Sequence, residues 1–489
     1  MLPALRKALL SDDHSVMHDA ALALGRVFEP GDSESLDLLH QTLKSRHEEV
    51  IHAAILALGL TRERSTMPTL WGIMHDSNEA RAALNSKGRI LDYDRAAATL
   101  AFGLVCHPTM QSRFCRFVEQ QVREDQQLGA AGVLALGLLR EPAQDTIRFL
   151  FGLLEDESLH GSVRAQVPIA LARLGEESAP VVPALLKHLK SSQGSREIRQ
   201  SCAIALGRLA LVEDPEVVRV LTRIVLREKD VSLRQFAYMA LCEMGARGLE
   251  RQAASEGADG VAAFFSSQLA DVRHAVDLPW VALAAGRLGR ELPPESERRG
   301  QLTRDLSDLL ERHSNPDQLG AIALALGLLE ARSAGPKLMG VLAESNDTTL
   351  LGHVAVALGL MDYREARDDL RRLLDDGRDP NLRIETAIGL GLMGDLGASE
   401  VLIKGMQEAK DSVSATSLAW SLATLRQPAA LDSLLEMAGP ERGSVERQNA
   451  ATALGVLAER SSLPWHAELS MGANYLLPLR IQTEILGFF

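Results

Sequence analysis

Residues Asp379 to Lys410 read DPNLRIETAIGLGLMGDLGASEVLIKGMQEAK, and the fold is decided by this stretch. Asp379 offers a side-chain oxygen to the free N–H groups of a helix start, and Pro380 is pre-set for the first helical position. Ile384, Ala387, Ile388, Gly391 and Leu392 then recur at the spacing of one helical face. Gly394 and Gly397 punctuate the end, where a positive φ is often needed. A second helix opens near Ser399, with Val401, Leu402 and Gly405 turned inward. The unit is a helix A, a tight turn, a helix B and a loop into the next helix A.

The same small residue in a Leu/Ala-rich setting returns along the whole chain, at Gly25, Gly59, Gly103, Gly137, Ala172, Gly207, Cys242, Gly286, Gly327, Gly359, Gly391, Ala423, Gly455 and Gly487. The steps are 34, 44, 34, 35, 35, 35, 44 and 41 residues, then 32 five times. A period of 32 to 35 residues is the mark of stacked two-helix repeats, each burying its apolar face against its neighbours. Glycine inside a helix costs about 1 kcal/mol against alanine. Its return in this slot therefore needs a reason, and the reason expected is close approach of the neighbouring helix. The predicted fold is an all-α, right-handed α-solenoid of about fourteen two-helix units, curved and elongated.

An acidic or small polar residue, then an apolar residue and Arg, recurs ahead of the slot. Examples are Asp230 with Leu233-Arg234, Asp379 with Leu382-Arg383, Ser162 with Val163-Arg164 and Asp271 with Val272-Arg273. The acid is expected to cap helix A, and the Arg to reach an Asp of its own or an adjacent repeat and form a ladder. These patterns resemble HEAT-type repeats of the short prokaryotic kind, the type also found in phycobilin lyases. The resemblance rests on D-x-x-[VLI]-R-x-x-A-x-x-A-L-G-x-[LIM] in helix A and on P-x-L-x-x-L-L-x-D in helix B. The second signature appears as LPALRKALLSDD at Leu2–Asp13 and VPALLKHLK at Val182–Lys190. Proteasome/cyclosome repeats share the A-L-G-L runs but have longer units. The resemblance implies a curved array whose helices B line a concave, ligand-binding side.

Composition agrees with packed helices: 46% of residues are hydrophobic and only 4% aromatic. The net charge of −13 would repel phosphate backbones, and no basic run resembles a nucleic-acid arm. Arg dominates the cations, since nine of the 52 basic residues are Lys, which fits genome composition bias. Cys106, Cys115, Cys202 and Cys242 form no C-x-x-C pair, so a disulfide scaffold is not expected. No 18-residue apolar run predicts a membrane span, and MLPALRKALLSDD lacks a signal-peptide layout. Cytoplasmic placement is the default, with a secreted or periplasmic one open if the chain is a fragment.

Departures from the period mark insertions near Glu79–Asp94, Arg247–Asp271 and Glu291–Arg299, expected to form loops on one face. The third is expected to be an exposed, hinge-like loop. Spacing divides the chain into an N-terminal repeat block at 1–245, irregular repeats at 246–303, regular 32-residue repeats at 304–464, and a C-terminal cap or truncated repeat at 465–489. Leu2–Leu10 reads as a helix B lacking its helix A.

No metalloprotease, P-loop, nucleophile-elbow or Cys/His motif is present. His14 and His18 have i, i+4 spacing without a further ligand and read as surface or capping residues, and His47 and His52 are no stronger as ligands. Gly389, Gly391 and Gly394 spell G-x-G-x-x-G but follow no strand, so no nucleotide is expected. No catalytic residue, metal or cofactor is assigned. The function expected is a non-catalytic scaffold or adaptor that binds a protein or peptide along the concave face. The candidate contacts are Arg367, Arg371 and Asp375 on one helix B, and Lys87 and Arg89 in the first insertion. The alternative is an enzyme or enzyme subunit, lyase-like or in nucleic-acid repair, with its site on the inserted loops. Oligomeric state is left open.

Overall fold

Helix pairs follow one another along the chain in a computed structural model that describes residues 1–175, 181–191, 195–250, 255–376, 379–395, 397–408, 418–419, 421–422 and 429–458. The chain begins with a helix B, α1 (Leu2–Leu9). The next pairs are α2 (His14–Arg26) with α3 (Ser33–Thr42), and α4 (Glu48–Leu60) with α5 (Met67–Met74). A short α6 (Asn78–Ala83) precedes α7 (Asp92–Val105) and α8 (Gln111–Glu124), followed by α9 (Gln126–Leu136) and α10 (Gln144–Glu155). Helix A of the next repeat is split into α11 (Gly161–Arg164) and α12 (Val167–Leu174), the break falling just before Pro168, and α13 (Val181–Lys190) is its partner. Then come α14 (Arg196–Leu209) and α15 (Pro215–Arg227), α16 (Val231–Glu250) and α17 (Ser255–Ala270), and α18 (Leu278–Glu291) and α19 (Glu297–Arg312). The last elements are α20 (Pro316–Leu328) and α21 (Gly335–Glu344), α22 (Thr348–Leu360) and α23 (Arg367–Asp376), α24 (Pro380–Leu392) and α25 (Gly397–Glu408), α26 (Ala429–Met437) and α27 (Ser444–Ala458). No strand occurs among the described residues, and the fold is an all-α solenoid.

Two compact units divide the chain: Met1–Leu209 together with the residues from Met437 onward, and Ala210–Glu436. These cuts follow packing, whereas the sequence blocks follow repeat spacing, and the two do not coincide.

In the first unit, helices A stack through the small-residue slot. A methyl group added at Gly25 would meet Ala57 backbone atoms at 2.8 Å, one at Gly59 would meet Ala101 at 2.6 Å, and one at Gly103 would meet the Ala135 carbonyl at 2.3 Å. Real Cβ atoms do not come this close, so the bare Cα sets the helix spacing. In every case the partner stands two residues ahead of the next slot. The rule also holds at the far end of the chain: the position at Gly455 on α27 abuts Ala23, two residues ahead of Gly25. Ser444 donates to Asp13, and Thr452 Oγ1 donates to Asp19 Oδ2 at 2.5 Å, across the same contact. The first repeat thus receives α27 in the register with which each repeat receives its predecessor. The second unit repeats the rule, Gly286 meeting Ala325 and Gly327 meeting Ala357.

Side-chain caps recur in a fixed register at several repeats. Asp13, Asp125, Asn315, Asp347 and Asp379 each cap a helix A with the side chain, and each stands twelve residues ahead of its slot (Gly25, Gly137, Gly327, Gly359 and Gly391). The turn after helix A takes a positive φ three residues past the slot, at Arg62, Glu330, Asp362 and Gly394.

The insertions differ from the loops expected. The first is an extra turn, α6, pinned by Asp76, which accepts from Arg81 Nε at 2.8 Å and from the Ile90 N–H at 2.9 Å. The described residues of the second, expected as a loop, instead lengthen the flanking helices, α16 with 20 residues and α17 with 16, and residues 251–254 lie outside the described residues. The Ala-rich sequence there sustains a helix. The third is tied down: Arg299 donates to the Leu292 carbonyl at 3.1 Å and the Leu329 carbonyl at 2.8 Å. The cap or truncated repeat expected at 465–489 lies outside the described residues.

Candidate partner-binding surface

Helices B carry the charge, and much of it is stitched between repeats. In the first unit Arg6 of α1 reaches Asp32 at 2.6 Å and also Glu34, Arg123 of α8 reaches Asp156 at 2.9 Å, and Lys187 of α13 reaches Glu155 at 2.8 Å. The second unit has Lys337 of α21 on Glu311 of α19 at 2.6 Å. Exposed pairs of this kind contribute about 0.2–1 kcal/mol each. Their larger effect is to fix the pattern of alternating charge that a partner would meet.

The residues singled out in sequence fall into two classes. Arg367 and Arg371, on α23, hold the following repeat together. Arg367 donates to the Met393 carbonyl at 2.7 Å, and Arg371 makes a bidentate pair with the buried Asp395 at 2.8 and 2.5 Å. Gly397 leaves room for that guanidinium, since an added methyl would lie 2.8 Å from it. Arg371 holds the Asp395 carboxyl below its ordinary range against the opposing effect of burial. Asp375, Asp368 and Arg372 lie exposed on the same helix. In the first unit Lys87 is exposed and makes no ion pair among the described residues, while Arg89 pairs with Asp92 at 3.0 Å. The Arg81 guanidinium nearby holds Asp76 down at about 2.

The expected Arg–Asp ladder along helix A is corrected by the structure. Arg164, Arg273 and, in a looser version of the motif (Ile198-Arg199), Arg199 donate to the Leu154, Leu226 and Leu189 carbonyls, near the C-terminal ends of α10, α15 and α13. The last carbonyls of a helix lack partners within it and carry partial negative charge, so a cation there is doubly favoured. Arg234 alone of the motif arginines makes a buried carboxylate pair among the described residues, with Asp277 at 2.7 Å. That Asp stands immediately ahead of α18, six residues past the Asp271 named by the motif, because the chain turns between them.

Burial raises all four thiols, Cys106 to about 12 and Cys115, Cys202 and Cys242 upward as well, which disfavours the thiolate that nucleophilic or metal chemistry needs. Spacing pairs His14 with His18, whereas the fold brings His14 and His47 together at adjacent helix starts. The signal that could have paired them is the capping register, which His47 occupies without an Asp.

The family model described as HEAT repeats matches residues 2–86 and 376–455. No curated protein matches the chain. Among solved structures, importin beta in an ammonium sulfate condition is similar at 13% identity with a TM-score of 0.45, over 94% of this chain and 74% of that one. Yeast importin-beta (Kap95p) is similar at 14% and 0.45, over 94% and 73%. Kap121p is similar at 15% and 0.45, over 89% of this chain, which spans 51% of Kap121p.

Proposed function

We propose, from the premise that this chain is a HEAT-repeat solenoid, that it is a non-catalytic scaffold binding a protein or peptide partner along the side lined by its helices B. The observation that carries the reading is the exposed, mixed-charge row on those helices, of which Asp368, Arg372 and Asp375 on α23 are one example. Rows set by a fixed repeat suit an extended ligand, which a solenoid meets one repeat at a time. Arg367 and Arg371 act beneath that surface as anchors of the next repeat, while Lys87 and Arg89 add an exposed basic element in the first unit. Affinity capture with the intact chain, beside a chain carrying Arg372→Glu and Asp375→Lys, tests the reading. A protein retained by the first and lost by the second supports it. Equal retention by both, or retention of nothing, overturns it. Both substituted residues are exposed, so the fold should stand.

A further inference from the structure

His47 stands at the capping position of α4, twelve residues ahead of Gly59, the register in which Asp13, Asp125, Asn315, Asp347 and Asp379 cap their helices. It makes no side-chain cap. Its imidazole stacks instead on that of His14, with ring centroids 4.6 Å apart and planes 15° from parallel. His14 is the first residue of α2, and its Nε2 lies 3.1 Å from Glu49 Oε1 in the first turn of α4. The ligand atoms of His14, His47 and Glu49 all lie within 4.8 Å of one another. His14 is half-buried and the other two are exposed, so an ion can enter from solvent.

Two imidazoles and a carboxylate are a ligand set for Zn²⁺, whose bonds of about 2.0–2.2 Å place tetrahedral ligand atoms about 3.4 Å apart. Side-chain rotation alone covers the difference. Helix N-termini carry partial positive charge that would oppose a cation. Glu49, with Glu48 beside it, supplies the opposing negative charge at this end.

We propose that His14, His47 and Glu49 form a zinc site that ties the starts of the first two helices A, with the fourth coordination position open. The full chain, stripped with a chelator, is titrated with zinc chloride by calorimetry, beside His47→Asn and His14→Ala. Asn caps helices well, so His47→Asn removes a ligand while restoring a cap. The wild type is expected to take one ion per chain. Each variant should bind about tenfold or more weakly, since loss of even an outer-shell partner has effects of that size. Metal-free His47→Asn should melt no lower than the wild type. A wild type that takes no zinc, or both variants binding zinc as tightly as it does, would overturn the site.

Discussion

Gly103 and Gly152 make opposite demands on an added methyl group. At Gly103 it would lie 2.3 Å from the Ala135 carbonyl; at Gly152, in the interior of α10, nothing stands within 4 Å. Gly152→Ala should therefore raise stability by up to about 1 kcal/mol through helix propensity alone. Gly103→Ala gains the same propensity but must push two helices apart, at a cost of about 1–3 kcal/mol, and should be the less stable variant. Urea midpoints of the two decide the matter, and equal midpoints would refute close packing at the slot. Glu385 gives a pH signature at the same scale. Burial, with the charge of Asp379 adding to it, raises its carboxyl to about 7 from an ordinary 4.5. The proton is held more tightly in the folded state, so this contribution is fully present below pH 4.5 and is lost as pH rises through 7. Between pH 5 and pH 8 the wild-type urea midpoint should fall further than that of Glu385→Gln. Parallel curves would show that the group is not buried.

At the scale of elements, the ends of helices hold the repeats together. Arg234 is buried against Asp277 and also donates to the Glu228 carbonyl at 3.0 Å, so one guanidinium joins the end of α15, the first turn of α16 and the residue ahead of α18. Removing one partner leaves an uncompensated buried charge, and Asp277→Ala should destabilise by about 3–5 kcal/mol, read as a lower urea midpoint. A loss under 1 kcal/mol would mean the pair is solvated. Helix A and helix B were legible in sequence from periodicity, and the caps from Asp at a fixed distance before the slot. The partner of the helix A arginine was not, because it is a backbone carbonyl, which every residue carries and no sequence pattern marks. The second insertion was misjudged for a related reason: spacing counts extra residues but does not say whether they lengthen a helix or leave it. Of the candidate contacts, charge alone could not separate Arg371, committed to the buried Asp395, from the exposed Asp375.

At the scale of the molecule, the small-residue rule says how any two neighbouring helices A meet, but not which helices are neighbours when they are far apart in sequence. The contact of α27 with α2 obeys the rule and was nonetheless invisible before the fold was known. Gly455→Leu would force a side chain into Ala23, whose Cα lies 3.2 Å from even an added methyl. Amide hydrogens of α2 should then exchange faster, while the helices of the second unit, Ala210–Glu436, keep their rates. Unchanged exchange in α2 would show that the contact contributes nothing to its stability.

That contact also carries a delay. Asp13 and Ser444 are 431 positions apart, and a ribosome adding roughly 5–20 residues per second needs on the order of 20–90 s to cover that span. Throughout that time the face of α2 that Ala23 helps to form has been made and its cover has not. A newly emerged first repeat would wait, apolar side bare, until α27 had been made, and that interval is when a nascent-chain chaperone would have something to hold.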